Sequence, residues 1–140
     1  MQVRDGMSNI VLTLGPQHTL REAAKRMADR NVGAAVVVDP DGPGVAILTE
    51  RDVLLSLGAG EDADRERIGD HLTPGLVYAA PDWSLEEAAV AMIRGSFRHL
   101  VVLEQGEVVG IVSMRDIVRC WTGDGAICEA PQSAELSPAA

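Results

Sequence analysis

One pattern of apolar and polar positions runs along this chain twice. Leu20, Ala23, Ala24 and Met27 recur at i, i+3, i+4 and i+7, and Leu85, Ala88, Ala89 and Met92 repeat that spacing. Such a stripe marks one buried face of a helix. Ahead of each stripe stands a short apolar run, residues 10–14 (IVLTL) and 76–79 (LVYA), closed by Pro16 or Pro81. Behind each stripe come two β-prone runs joined by turn residues: 34–38 with 45–48, and 100–103 with 108–112. The turns DPDGPG and EQGE suit hairpins. These runs show no polar alternation, which predicts strands covered on both faces. A further helix is expected from Thr49 and from Ser113, so the predicted order is strand, helix, strand, strand, helix, twice over.

The helix starts carry their own signals. Thr19 with Glu22, and Ser84 with Glu87, read as capping boxes, in which the hydroxyl accepts from a first-turn N–H and the Glu reaches back. The repeat is visible residue by residue. A shift of 65 lays PQHTLREAAKRM (16–27) on PDWSLEEAAVAM (81–92), Asp5 on Asp70 and Val36-Val37 on Val101-Val102. Two long copies predict paired subdomains, not a solenoid. The boundaries expected are 1–66 for the first motif with its linker and 67–123 for the second. Residues 124–140, rich in Ala, Pro, Ser and Glu, are expected to form a disordered tail.

Composition narrows the functional classes. Hydrophobic residues make up 46% of 140 and aromatics only 3%, so the interior must be aliphatic. A net charge of −9 opposes binding to nucleic acid or anionic lipid, although local Arg or His residues can still hold a small anion. No apolar run reaches a membrane span, and MQVRDGMSN lacks a signal-peptide layout, so a cytoplasmic protein is expected. Cys120 and Cys128 have no metal-ligand spacing and read as free thiols. The three histidines, His18, His71 and His99, lie on different elements, and neither a catalytic set nor a zinc spacing emerges.

The candidate chemistry lies in a second duplication. AILTERDVL (46–54) and GIVSMRDIV (110–118) each place a hydroxyl three residues before an Asp where a strand turns into a helix. Thr49 with Asp52, and Ser113 with Asp116, satisfy a cap geometry. The same acceptor-only carboxylate also suits a ribose, whose two hydroxyls can donate to one acid. Arg51 and Arg115 stand beside the acids.

Two β-α-β-β-α units ending in this motif resemble the two halves of a CBS-domain pair, the Bateman module. RDGMSN (4–9) and GDHLTPG (69–75) resemble the opening segment of each motif, and FRHLVVL (97–103) its second-strand signature. The resemblance implies an α/β fold of tandem motifs related by a pseudo-twofold axis, with two clefts between them. It further implies a non-catalytic, stand-alone regulatory module without an obligatory cofactor. Such a module binds AMP, ADP, ATP or S-adenosylmethionine in a cleft, forms a homodimer, and signals to a regulated protein that the chain does not name. Arg98 and His99 match positions that contact phosphate, and Val11 and Val77 are candidates for the adenine slot. At the positions of Arg98 and His99 the first motif has Gly33 and Ala34, and Ala46 replaces Gly110. Asymmetric sites are therefore expected, with the second motif's acid the stronger. The alternative is a structural or dimerisation module with empty or occluded clefts.

Overall fold

The computed structural model describes residues 1–42, 44–73 and 77–123. The tail 124–140, with Cys128, and residues 74–76, of which Leu76 opens the predicted strand 76–79, lie outside the described residues. The elements are α1 (Val3–Gly6), β1 (Thr13–Leu14), α2 (Leu20–Asp29), β2 (Ala34–Asp39), β3 (Gly44–Thr49) and α3 (Glu50–Gly58). After a 3-10 turn at Ile68–Asp70 follow β4 (Tyr78–Ala79), α4 (Leu85–Gly95), β5 (His99–Glu104), β6 (Glu107–Ser113) and α5 (Met114–Gly123). Two three-stranded sheets result, ordered β1-β2-β3 and β4-β5-β6. In each, the first pair is parallel and the second is an antiparallel hairpin.

The doubly covered strands follow from alternation between two apolar surroundings. Ala35, Val37 and Leu48 face the first motif's own helices, whereas Ala34, Val36 and Ile47 pack with Val101 of the second motif in a central cluster. In the second sheet, Leu100, Val102 and Val112 face their own helices, while Leu103, Val108 and Ile111 border the central cluster. Each sheet therefore has one face for its own half and one for the other. A period of two persists, but both faces are dry, so no polar alternation is left in the sequence.

The halves also exchange their opening residues. Val3, at the start of the first copy, is fully buried in the second motif's core with Leu85, Leu100 and Ile117. Ile68, its counterpart at a shift of 65, is fully buried with Leu20, Ala23 and Leu48 of the first. Backbone bonds repeat the exchange: Val3 N–H donates to Trp83 O (2.8 Å) and Ile68 N–H to His18 O (2.9 Å). Further along, Ser8 pairs with Ile111 on β6, and Thr73 N–H donates to Ile47 O on β3.

Two local expectations shift. Of the strands predicted over 10–14 and 76–79, the described residues in a ladder are Thr13–Leu14 beside β2 and Tyr78–Ala79 beside β5, with Leu12 O accepting one further bond from Val36 N–H. The Ser84–Glu87 box is complete, but Thr19 only accepts from Glu22 N–H; the Glu22 carboxylate turns to His18 Nδ1, 2.7 Å away. The 58–67 stretch lies along the surface yet is tethered. Ala63 O accepts from Arg21 N–H, Asp64 pairs with Arg21, and Arg67 Nη1 donates to Gln17 O at 2.9 Å.

Gly110 shows why the copies differ at the hairpin. A Cβ there would lie 2.8 Å from both Met7 Sδ and Ser8 O, so the swapped segment passes directly over it. Gly110 pairs with Val102 just before the register slips between Val102 and Leu103, a slip that leaves Val109 out of the ladder. Gly110→Ala should therefore lower stability by about 1–3 kcal/mol. Gly58→Ala, where the added methyl meets open space, should raise it by about 0.4–1 kcal/mol. Urea unfolding midpoints of the two variants, moving in opposite directions, check both.

Candidate functional site

Each candidate acid sits in the first turn of a helix that a hairpin strand delivers directly. At the mouth of α3, Asp52 Oδ2 accepts from Thr49 N–H (2.8 Å) and from the Thr49 hydroxyl (3.0 Å). The return bond, Asp52 N–H to Thr49 Oγ1, is long at 3.4 Å. At the mouth of α5, Ser113 N–H donates to Asp116 Oδ2 (2.8 Å), and Asp116 N–H donates to Ser113 Oγ (3.0 Å). The cap reading is thus realised in both copies, and it uses one carboxylate oxygen in each.

The remaining contacts distinguish the copies. Thr73, from the opening segment of the second motif, donates its hydroxyl to Asp52 Oδ2 at 2.5 Å. That oxygen accepts three bonds, while Asp52 Oδ1 accepts none among the described residues. Ser8 is the repeat counterpart of Thr73, but its hydroxyl turns to Ile10 O (3.1 Å). Asp116 Oδ1 is taken instead by Arg119 Nη2 at 2.7 Å. Sequence reasoning missed both Thr73 and Arg119. The hydroxyl repeated at positions 8 and 73 was the available signal for the first; nothing local marked the second.

Arg98 and His99 stand at the entry to β5. Met114 N–H donates to Arg98 O, as Glu50 N–H donates to Gly33 O in the other copy. Arg98 is exposed and His99 half-buried. A Cβ on Gly33 would lie 3.3 Å from His99 Cε1 and 3.3 Å from the Glu50 carboxyl carbon. His99 therefore reaches across to the mouth of α3, the helix of the other half. Burial pushes its pKa below 6.5, opposed by Glu50 and then Asp116, and Arg98 lowers it further. The side chains of Arg51 and Arg115 are exposed.

Val77 is exposed at 39%, and its neighbour Tyr78 donates its hydroxyl to Val45 O (2.6 Å) across the halves. Val11 borders the central cluster and a groove of about 490 Å³ that it shares with Arg26, Asp29 and Arg30. A wider groove of about 830 Å³ runs along α4 past Asp82, Trp83, Glu87 and Arg94. Neither groove includes Asp52 or Asp116.

Comparison with known proteins resolves the family. The model for the CBS domain matches residues 2–59 and again 68–123. The chain is a tandem CBS-domain protein. It is 35% identical over 115 residues to the CBS domain-containing protein YhcV of Bacillus subtilis, covering 82% of this chain and 81% of that one. It is 33% identical over 124 residues to an uncharacterised protein of Methanocaldococcus jannaschii, of which it spans only 44%. Among solved structures, a CBS domain pair in complex with 5'-methylthioadenosine and S-adenosyl-L-methionine aligns with a TM-score of 0.79 at 26% identity, covering 89% of this chain and 98% of that one. The CBS match and these neighbours bear out the expected tandem α/β architecture. No helix among the described residues is long and apolar enough to cross a membrane.

Half-buried His99 should make the CBS pair sensitive to acid. Its folded pKa is lowered, so the unfolded chain takes up the proton first as pH falls. Stability is then lost from about pH 6.5 downward until the folded pKa is passed. Denaturation free energies at pH 7.5 and 5.5 should fall more for the wild type than for His99→Gln.

Proposed function

We propose that this CBS pair is a regulatory module that binds an adenosine-containing ligand at the mouth of α3, with Asp52 accepting from the ribose. The observation that carries this reading is the unequal state of the two acids. Asp52 keeps one carboxylate oxygen without a partner among the described residues, whereas Arg119 already holds the corresponding oxygen of Asp116. A carboxylate can cap a helix with one oxygen and accept sugar hydroxyls with the other. The neighbouring His99 supports the same choice, since it approaches Glu50 on α3. The favoured acid therefore moves from Asp116, which sequence alone preferred, to Asp52.

An adenine nucleotide such as AMP, ADP or ATP is the leading ligand. Thr49 and Thr73 would flank the sugar, Arg98 and His99 would meet the phosphate, and Val77 would border the base. Ser113, Arg115 and Asp116, with Val11, form the weaker second cleft. One observation favours a second reading. Glu50 stands beside His99, and a carboxylate there suits the cationic sulfonium of S-adenosylmethionine better than a phosphate. The similar CBS pair solved with that ligand supports keeping this reading. Occupancy would signal only through different affinity for different arrangements of the halves. The role is regulatory, and no catalytic step is assigned.

The second helices support a homodimer. Leu54 and Leu57 on α3, and their counterparts Val118 and Trp121 on α5, are exposed at 67%, 54%, 50% and 37%. A second copy would cover this duplicated apolar face.

Calorimetric titration with AMP, ADP, ATP and S-adenosylmethionine tests the ligand reading. Binding should weaken by ~1.5–3 kcal/mol in Asp52→Ala and by less in Asp116→Ala. Arg98→Ala should weaken nucleotides while sparing S-adenosylmethionine. No binding by any of the four would favour a structural module instead. For the dimer, Leu54→Glu with Val118→Glu should shift the mass measured by light scattering from two chains to one.

A further inference from the structure

A second constellation lies outside both clefts, in the segment that joins the halves. Glu61, Glu66 and His71 each offer one ligand atom, and all three atoms lie within 4.8 Å of one another. The backbone brings them together over ten positions. Glu61 N–H donates to Ser56 O at the end of α3, Glu66 N–H donates to Asp62 O, and His71 N–H donates to Ile68 O in the 3-10 turn. Ile68 is itself anchored to His18 O and buried in the first motif's core, which holds the far side of the cluster in place. The His71 and Glu66 side chains are only 16% and 29% exposed, and His71 Nε2 lies 2.8 Å from Glu66 Oε1.

This is an imidazole flanked by two carboxylates, and among the described residues no Arg or Lys pairs with either carboxylate. The nearby bases are engaged elsewhere: Arg65 with Asp62, Arg67 with Gln17 O, and Arg21 with Asp64. The two carboxylates and the imidazole converge on one point, with all three ligand atoms within 4.8 Å of one another. A divalent cation between them would offset the repulsion of the two like charges. One nitrogen and two oxygens form a donor set suited to zinc or manganese. Ligand atoms about 2.0–2.2 Å from such an ion stand roughly 3.3–3.6 Å apart. His71 Nε2 and Glu66 Oε1, now 2.8 Å apart, would part slightly to admit the ion, and the exposed Glu61 side chain can adjust to complete the set.

We propose that Glu61, Glu66 and His71 form a site for a divalent transition-metal ion of the zinc or manganese class, clamping the inter-motif segment onto the end of α3. The site does not depend on the adenosine reading. It lies two residues before Thr73, whose hydroxyl holds Asp52. An ion there would therefore stiffen the segment that completes the neighbouring cleft.

Titration calorimetry of the metal-stripped protein with ZnCl₂, and separately with MnCl₂, tests the assignment. One ion per chain is expected for at least one of the two metals. Glu66→Gln and His71→Gln should each weaken binding at least tenfold. Glu61→Gln, at an exposed position that leaves the fold intact, should weaken it severalfold. Absence of saturable binding for both metals would overturn the proposal. Affinity that Glu61→Gln leaves unchanged would do the same, because the ion would then sit elsewhere, for example on Cys120.

Discussion

Two small sheets, each greasy on both faces, cannot be stable apart. Ala34, Val36 and Ile47 of one half meet Val101 of the other in a dry central layer. Separating the halves would expose that layer at a cost of ~25 cal/mol for each Å² of apolar surface. The exchange of Val3 and Ile68 adds a second dependence, because each half's own core includes a residue from the start of the other copy. A fully buried aliphatic side chain of this kind contributes about 1.5–3 kcal/mol. The repeat is thus a unit of sequence, while the unit of folding is the pair.

The same crossing shapes the chemistry. Because each opening segment runs beside the other half's hairpin, Thr73 meets Asp52 although 21 residues separate them. His99 likewise sits against Gly33 and Glu50, not beside its own copy's acid alone. Small differences between the copies then act on opposite clefts. Thr73 turns to its acid while Ser8 turns to its own backbone, and α5 supplies Arg119 where α3 carries Leu55. From a nearly symmetric scaffold the chain builds two unlike helix mouths, one acid partly open and the other closed by a salt bridge.

Much of this could be read from spacing alone. The i, i+3, i+4, i+7 stripes, the hairpin turns and the duplicated hydroxyl-x-x-Asp are local, and local physics decides them. Thr49–Asp52 and Ser113–Asp116 form caps at the positions their spacing predicts. What spacing could not supply is the partner of each feature across the halves. Grouping Arg98 and His99 with Asp116 followed chain order, whereas His99 also projects toward α3. The Thr19–Glu22 box failed for a similar reason: His18, adjacent in sequence, competes for the carboxylate that the box needs. The Glu61–Glu66–His71 cluster matches no metal spacing, because a 3-10 turn assembles it and periodicity does not register such a turn.

Interdependence of the halves is the claim on which the rest stands. Both tryptophans, Trp83 and Trp121, belong to the second half, so their fluorescence reports on that half while far-UV circular dichroism reports on both. Urea unfolding followed by the two signals on one sample should give superimposable curves with one midpoint. A dichroism curve that keeps a separate transition after the tryptophans have unfolded would mean that the first half stands alone, contradicting the shared core.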